Sequence, residues 1–304
     1  MPEYEGLLPL NKPRGMTSHD CVFRIRKMLH YKKIGHTGTL DPDVDGVLIL
    51  CLGRATKIAQ YLLEFGKTYR GEIALGTSTV TEDASGETVQ EKRVSEPIAR
   101  EQVISVMKMF TGEIKQLVPL YSAVKVHGKK LYEYARSGIP VDRPMRQVSI
   151  YQLQLDSQNA FYRESIPFLV TCSKGTYIRT LAVDIGQALG YPAHLKTLTR
   201  IKAGPFSIDE CLSFEEIELL NKEGRFSEAL KPLESGLGHL TRWTVNQQTA
   251  DKVIHGAVLP APAGLSDKPI AVFNHYGKCL AVYQSYPGKS GFIKPQKVLA
   301  LSNR

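Results

Sequence analysis

The sequence predicts an α+β fold that is followed by a small β-rich unit. Over roughly the first 236 positions, segments of alternating polarity are mixed with segments of helical periodicity. Beyond position 243 the apolar segments are short and are separated by turn residues. The chain has 304 residues, slightly more than the roughly 250–300 at which a single core stops growing. We therefore expect one large domain and one small one.

The first part of the chain contains one helix pattern and two strand patterns. Thr17 and Asp20 stand at capping-box spacing, before apolar residues that recur at helical intervals. Residues 47–52 form a continuous apolar run that is typical of a buried strand, and residues 68–75 alternate in polarity. The residues on the apolar face of this second strand are Tyr69, Ile73 and Leu75.

Further elements are expected in the middle of the chain. The sequence predicts a helix over residues 95–112, a strand over 165–172 and a short helix over 213–221. Another helix is predicted after Gly175, because apolar residues recur at helical spacing from there. Gly190 then stands where a helix C-terminal cap belongs.

The C-terminal unit is predicted from strand signals alone. Residues 236–243 carry Gly, Thr and Arg between patterned blocks, which indicates a domain boundary. We expect one domain over residues 1–238 and a second over 239–304. The predicted strands of the second domain are residues 270–273, 279–283 and 298–301.

The charge balance points to an anionic partner. Lys and Arg number 39 against 30 Asp and Glu, a formal net charge of +9. Such a surplus favours nucleic acid or an acidic membrane surface, although it also serves solubility alone. The longest apolar run, residues 47–52, is far shorter than the roughly 20 residues of a membrane-spanning helix. We therefore expect no membrane association.

The cysteines and the first residues favour a cytoplasmic protein. The five cysteines are widely spaced and form no C-x-x-C pair, so neither a disulfide framework nor a zinc knuckle is expected. The opening residues 1–6 are acidic and lack the basic and apolar regions of a signal peptide.

A polar loop around Asp41 is the first candidate site. Asp41, Asp43, Asp45 and Gly46 match the first half of a calcium-binding EF-hand loop. The twelfth position is Leu52 instead of glutamate, and a strand pattern follows instead of a helix, so the calcium interpretation is rejected. Residues 288–290 (GKS) are not a phosphate-binding loop either, because the glycine needed five positions earlier is a tyrosine.

The same loop has a second interpretation. Pro42 restricts Asp41 to an extended backbone, and Gly38 and Gly46 permit tight turns, so the carboxylate can be presented rigidly at the mouth of a strand. Such a carboxylate is either a structural cap or a nucleophile or base. Arg179 stands in the first turn of a predicted helix, where a cation is unfavourable unless an anion is nearby. That anion is either a carboxylate such as Asp41 or an RNA phosphate.

A basic stretch over residues 119–146 is the second candidate site. Its tyrosines are interleaved with cations, a mixture that suits RNA but also suits a helix face packed on the core. The residues expected to contact the RNA backbone are Lys125, Lys129, Lys130, Arg143 and Arg146.

Five blocks of the sequence resemble one enzyme family, in order and along the whole chain. They are residues 11–18 (NKPRGMTS), 35–42 (GHTGTLDP), 67–70 (KTYR), 119–123 (PLYSA) and 175–180 (GTYIRT). Together they resemble the TruB family of bacterial tRNA pseudouridine-55 synthases. The resemblance implies a catalytic domain of the pseudouridine synthase type, with a mixed, mainly antiparallel sheet. The C-terminal unit is similar to the RNA-binding PUA domain.

The resemblance also implies roles for individual residues. Asp41 matches the catalytic aspartate and Arg179 the basic residue paired with it. Tyr69 matches the tyrosine that stacks on the target base and helps to remove the C5 proton. His36 matches the histidine that supports the flipped-out nucleotide, and Tyr177 and Leu198 match positions of the uridine pocket. Asp43 and Asp45 depart from the family pattern, which has small residues there.

The implied activity is isomerisation of uridine 55 in the TΨC loop of tRNA to pseudouridine. The aspartate acts as nucleophile or base on a flipped-out uridine, and no cofactor or metal is expected because the reaction is neither redox nor energy-requiring. The expected partner is the tRNA T arm, bound by a monomer without an obligate protein partner. Two alternatives stay open: a non-catalytic RNA-binding or tRNA-folding protein, and the catalytic subunit of a guide-RNA complex.

Individual roles have plainer alternatives as well. Tyr69 on an alternating strand is more often a core residue, and His36 in a glycine-rich loop is more often a turn residue.

Overall fold

A nine-stranded sheet frames the larger part of the protein in the computed structural model, which describes residues 4–262, 264 and 268–300. The strands are β1 Gly6–Lys12, β2 Ile34–Thr37, β3 Asp45–Leu52, β4 Lys67–Leu75, β5 Thr77–Thr79, β6 Thr88–Glu91, β7 Ile98–Ala99, β8 Gly112–Leu117, β9 Lys125–Val126, β10 Lys129–Lys130, β11 Met145–Leu155, β12 Phe161–Tyr162, β13 Ser165–Cys172, β14 Ala193–Ala203, β15 Phe206–Ser207, β16 Thr241–Thr244, β17 Leu259–Pro260, β18 Ile270–Phe273, β19 Cys279–Ser285 and β20 Phe292–Val298. The helices are α1 Ser18–Leu29, α2 Ala59–Leu62, α3 Arg100–Met109, α4 Leu131–Ser137, α5 Ile178–Ala188, α6 Phe214–Lys222 and α7 Gln247–Ile254.

The large sheet is mixed and mainly antiparallel, which confirms the expected fold class. Its strands follow the order β1-β3-β14-β4-β13-β11-β8, with β2 beside β3 and β15 beside β14. The pairing of β14 with β3 is parallel, whereas the other neighbours in this order are antiparallel. The register pairs Asp45 and Gly46, the first residues of β3, with Thr199 and Arg200, so the loop that precedes β3 lies beside β14.

Capping signals fix the predicted helix starts. The Thr17 hydroxyl accepts from the Asp20 amide, and the Asp20 carboxylate accepts from the Thr17 amide, so α1 begins with the predicted capping box. Ser213 caps α6 in the same way. Gly190 follows α5 with a φ of 86°, a left-handed conformation that costs little for glycine. These local patterns were sufficient because each depends on residues three or four positions apart.

Two element predictions were wrong at their ends. The helix expected from residue 95 begins only at Arg100, because Ile98–Ala99 pairs instead with Phe161–Tyr162. The strand expected at residues 298–301 is Phe292–Val298 instead, and position 301 lies outside the described residues. The apolar Leu299 misled the prediction: it is buried between the two parts of the protein, whereas the true strand is largely polar.

The C-terminal strands form a separate five-stranded sheet, in the order β16-β18-β19-β20-β17. This sheet shares a buried apolar cluster with β1, β3 and α2. Two cations from the segment before α2 reinforce the contact: Arg54 donates to the carbonyl of Leu299 at 3.2 Å, and Lys57 donates to that of Val298 at 2.8 Å. The β-rich unit is therefore docked on the larger sheet. Among the described residues, no helix is long and apolar enough to cross a bilayer.

Candidate active site

Asp41 lies in the loop between β2 and β3, at the mouth of two cavities. Gly38 and Gly46 take φ values of 69° and 104°, so the predicted turn glycines are confirmed. A side chain at Gly46 would place its Cβ 2.2 Å from the backbone oxygen of Arg200, so glycine also allows β3 to approach β14. The Asp41 side chain keeps 49% of its surface exposed and faces the cavities.

A buried lysine holds this loop in place. Lys12 has no exposed surface, and its ammonium donates to the carbonyls of Pro13, Pro42 and Val44 at 2.9, 3.1 and 2.8 Å. A buried ammonium is costly unless its donors are satisfied, and here the three carbonyls satisfy them. The N-terminal block of residues 11–18 is thus scaffolding for the aspartate loop.

Arg179 lies in the first turn of α5 and faces Asp41. Its Nε lies 3.2 Å from Oδ2 of Asp41, and its two other nitrogens donate to the carbonyls of Thr81 at 2.9 Å and Tyr121 at 3.0 Å. The guanidinium is about 10% exposed. An arginine at a helix N-terminus opposes the helix dipole, and the nearby carboxylate compensates for this cost. The anion expected beside Arg179 is therefore Asp41.

Asp83 is a second carboxylate beside Arg179 that sequence reasoning missed. Its Oδ2 lies 3.8 Å from Arg179 Nε, while its Oδ1 accepts from the Ser85 amide at 3.0 Å and the Thr81 hydroxyl at 2.6 Å. These local bonds fix the carboxylate in its turn. The available signal was an Asp two residues before a Ser, typical of an Asx turn, in a polar stretch interpreted only as a loop.

The smaller cavity, of about 380 Å³, is bounded by Asp41 on one side and by aromatic and apolar side chains on others. Tyr69, Tyr177 and Leu198 all line it, so the structure brings these three predicted residues together with Asp41. Tyr177 precedes α5, and its backbone amide and carbonyl are both bonded by the buried amide of Gln116, at 3.0 and 3.1 Å. The cavity wall is thereby held from behind.

A larger cavity of about 680 Å³ adjoins the first. It shares Asp41 and Leu198 with the smaller cavity and adds Asp83, Tyr121 and Arg179. Asp41 therefore stands where the two cavities meet, with its cationic partner on one side and the aromatic wall on the other.

Two cations in the smaller cavity were also missed. Lys67 and Arg200 are 8% and 1% exposed, and both line the cavity beside Tyr69. Burial lowers the pKa of Lys67 to about 8, and the nearby Arg200 charge acts in the same direction. Burial raises the pKa of the Tyr69 phenol, and the Arg200 charge opposes that effect. Tyr69 also packs on the main apolar core, so it is both a core residue and a residue of the cavity wall.

Comparison with known proteins decides the family. A model of the TruB family pseudouridylate synthase N-terminal domain matches residues 26–178, and one of the tRNA pseudouridylate synthase B C-terminal domain matches residues 179–238. The chain belongs to the TruB family. A tRNA pseudouridine synthase B from Bacillus subtilis is 52% identical over 300 residues, covering 97% of both chains. One from Halalkalibacterium halodurans is 52% identical over 298 residues, again covering 97% of both.

Solved structures show the same fold. The match to a Cbf5–Nop10–Gar1 complex has a TM-score of 0.76 at 28% identity, covering 97% of this chain and 85% of the other. A chain from an H/ACA RNP bound to a substrate RNA matches with a TM-score of 0.76 at 26% identity, covering 98% and 86%. The large sheet and the C-terminal β-rich unit are thus a known arrangement.

His36 lies apart from the cavity walls of this TruB-family protein. It belongs to β2, opposite Leu50 of β3, and is not among the residues that line either cavity. Its Nδ1 is buried without a hydrogen-bond partner. Burial lowers the pKa of His36, as do the charges of His19 and Arg200, so the ring is neutral at pH 7.

The basic stretch divides into two groups. Lys125 and Lys129 are exposed on the β9–β10 hairpin, whereas Lys130 is half buried and lies 5.4 Å from the centre of the Tyr132 ring. Arg143 lies 3.5 Å from Glu82, and Arg146 lines the smaller cavity 6.0 Å from the centre of the Tyr177 ring. The stretch thus joins an exposed basic hairpin to the rim of the site.

Proposed function

We propose that this TruB-family enzyme isomerises uridine 55 in the TΨC loop of tRNA to pseudouridine. The observation that carries the proposal is the Asp41–Arg179 pair at the junction of two cavities, with Tyr69 across the smaller one. The names of the relatives, tRNA pseudouridine synthase B, support tRNA as the substrate.

The proposed roles follow the chemistry of the site. Extraction of a stacked uridine costs a few kcal/mol, and stacking on Tyr69 replaces part of what is lost. Tyr177 and Leu198 then enclose the base. Asp41 attacks the sugar or base or removes a sugar proton, and Arg179 stabilises the charged carboxylate. The role of His36, support of the flipped-out nucleotide, rests on the family resemblance, because His36 lines neither cavity.

We further propose that residues 1–238 form the catalytic domain and residues 239–304 a PUA-like RNA-binding domain. The catalytic domain contacts the tRNA backbone through the basic stretch defined above: Lys125, Lys129, Lys130, Arg143 and Arg146. The protein acts on the T arm in the cytoplasm as a monomer, without a cofactor or an obligate protein partner. The +9 net charge and the exposed β9–β10 hairpin support this mode of binding.

Tritium release tests the proposal. The full chain is incubated with unmodified tRNA that carries tritium at C5 of its uridines, and with a transcript that has cytidine at position 55. We expect one equivalent of tritium per tRNA from the first and none from the second. Binding without release would favour the non-catalytic alternative, and release only after a guide RNA is added would favour the guide-RNA subunit.

A further inference from the structure

Arg200 is a buried cation whose charge no role above explains. Its guanidinium is 1% exposed, and Nε and Nη2 donate to the carbonyls of Val47 and Gly38 at 2.7 and 2.8 Å. Among the described residues, none of the ion pairs within 4 Å involves Arg200. A buried guanidinium that meets only neutral carbonyls keeps its charge available to groups in the cavity that it lines.

Tyr69 is the cross-strand neighbour of Arg200. The two residues are paired across the β14–β4 ladder, so their side chains leave the sheet on the same face. Burial has the larger effect on the phenol and raises its pKa, whereas the positive charge of Arg200 lowers that pKa. Both residues line the smaller cavity.

We propose that Arg200 is a positioning residue that holds the Tyr69 phenol over the cavity and stabilises its phenolate form. This inference rests on the proposed role of Tyr69 as the group that takes the C5 proton. Once C5 is joined to the sugar, the C5–H electron pair becomes the C5–C6 double bond. The phenolate takes the C5 proton and becomes a phenol, and the electrons of the C6–N1 double bond return to N1, which takes a proton from solvent water. The charge balances without an oxidant or reductant.

The other titratable groups near the Tyr69 phenol are poorer sources of the positive charge that stabilises a phenolate. Burial raises the pKa of the Cys172 thiol on β13 to about 11, so that group is neutral. The Asp41 carboxylate disfavours a phenolate. Lys67 spends two of its donors on the carbonyls of Leu63 and Phe65, both at 2.6 Å, and with a pKa of about 8 it is only partly protonated in mildly alkaline solution. Arg200 stays charged throughout.

Arg200 also connects the phenol to the loop that carries Asp41. Its bond to the Gly38 carbonyl anchors the start of the loop, and Gly46 at the other end lies directly beside Arg200 in the parallel β3–β14 pair. The positions of Asp41 and Tyr69 are therefore both set relative to the Arg200 guanidinium. Loss of Arg200 should affect the reaction more than it affects RNA binding.

The test measures the phenol itself, in the free protein. 3-Fluorotyrosine is placed at position 69 of the full chain, and its ¹⁹F signal is followed from pH 6 to pH 11. We expect Arg200→Gln to raise the pKa of this phenol by about one unit, and Arg200→Lys to raise it by about half of that. Arg70→Met is the matched control: Arg70 is the next residue on β4 but points to the opposite face, where its Nε lies 2.7 Å from Asp156.

The outcomes separate this inference from the proposed function. Where Arg200→Gln does not fold, Arg200→Lys carries the test, and an unchanged phenol pKa in a folded variant overturns the coupling. In the tritium assay we expect both variants to release tritium at least tenfold more slowly, with tRNA affinity within a few-fold of the parent. Equal slowing by Arg70→Met would overturn the positioning role. If Arg200→Gln raises the phenol pKa relative to the parent but the parent releases no tritium, only the proposed function is contradicted.

Discussion

Arg179 Nε lies 3.2 Å from Oδ2 of Asp41 and 3.8 Å from Oδ2 of Asp83, so one nearly buried guanidinium serves two carboxylates. The two acids differ in their freedom. Asp83 is fixed by three bonds within its own turn, whereas Asp41 is half exposed at the cavities. We therefore expect Asp83, together with the carbonyls of Thr81 and Tyr121, to position Arg179 beside Asp41.

Asp83→Asn should slow the reaction without weakening binding. The neutral amide no longer attracts the guanidinium, so Arg179 pairs more closely with Asp41 and restrains it. We expect single-turnover tritium release to fall by about tenfold or more, equivalent to roughly 1.4 kcal/mol, with tRNA affinity little changed. Asp43→Asn is the control. Asp43 is an exposed acid in the loop that carries Asp41, and it makes no ion pair with Arg179. Equal slowing by both variants would contradict the positioning of Arg179 by Asp83.

Local signals indicate only part of this site, and Tyr69, Tyr177 and Leu198 are placed in it by the family resemblance alone. Asp41 is marked by the Pro and Gly residues around it, and Arg179 by its place at a helix start. An Asx-turn pattern marks the turn around Asp83, but its place beside Arg179 depends on contacts between this loop and α5, which no local pattern indicates. Arg200 was missed for a related reason: its contacts with Tyr69 and Gly46 depend on strand register, which residues near Arg200 do not specify.

Lys12→Met should destabilise the fold. The substitution leaves the carbonyls of Pro42 and Val44 without their buried donor, and each loss costs about 1–3 kcal/mol. We expect the free energy of unfolding, measured by chemical denaturation, to fall by about 2–4 kcal/mol. Lys33→Met, at an exposed position, should change it by less than about 0.5 kcal/mol. A Lys12 variant as stable as the parent would refute the scaffolding role.

Asp184→Asn should stabilise the protein at neutral pH. Burial, followed by the charge of Glu82, raises the pKa of Asp184 to about 6, against about 3.9 in an unfolded chain. The folded state therefore holds the proton more tightly, and stability falls as pH rises from about 4 to 6. We expect a gain of about 1–2 kcal/mol at pH 7 that vanishes below about pH 4, where the carboxyl is neutral in both states. Asp142→Asn, at an exposed position, should show no such pH dependence; a pH-independent gain in the Asp184 variant would argue against burial as the cause.

The β9–β10 hairpin should contribute to RNA affinity through charge alone. Lys125 and Lys129 are exposed, so their exchange for Gln should weaken tRNA binding and lower the slope of log affinity against log salt by at most about two. Lys108→Gln with Lys222→Gln removes two exposed lysines from α3 and the end of α6 and should leave the slope unchanged. If the hairpin variant also keeps the parent slope, these lysines are an ordinary solvated surface.

The most direct test of the account is Asp41→Asn, assayed for tritium release and tRNA affinity in parallel. Asparagine keeps the size of the side chain but removes the charge that faces Arg179 and the reactivity of the carboxylate. We predict that release from C5-tritiated tRNA is abolished while tRNA affinity stays within a few-fold of the parent, and that Asp43→Asn retains activity. Release near the parent rate, or a loss of affinity large enough to explain the lost release, would contradict the assignment of Asp41 as the reacting group.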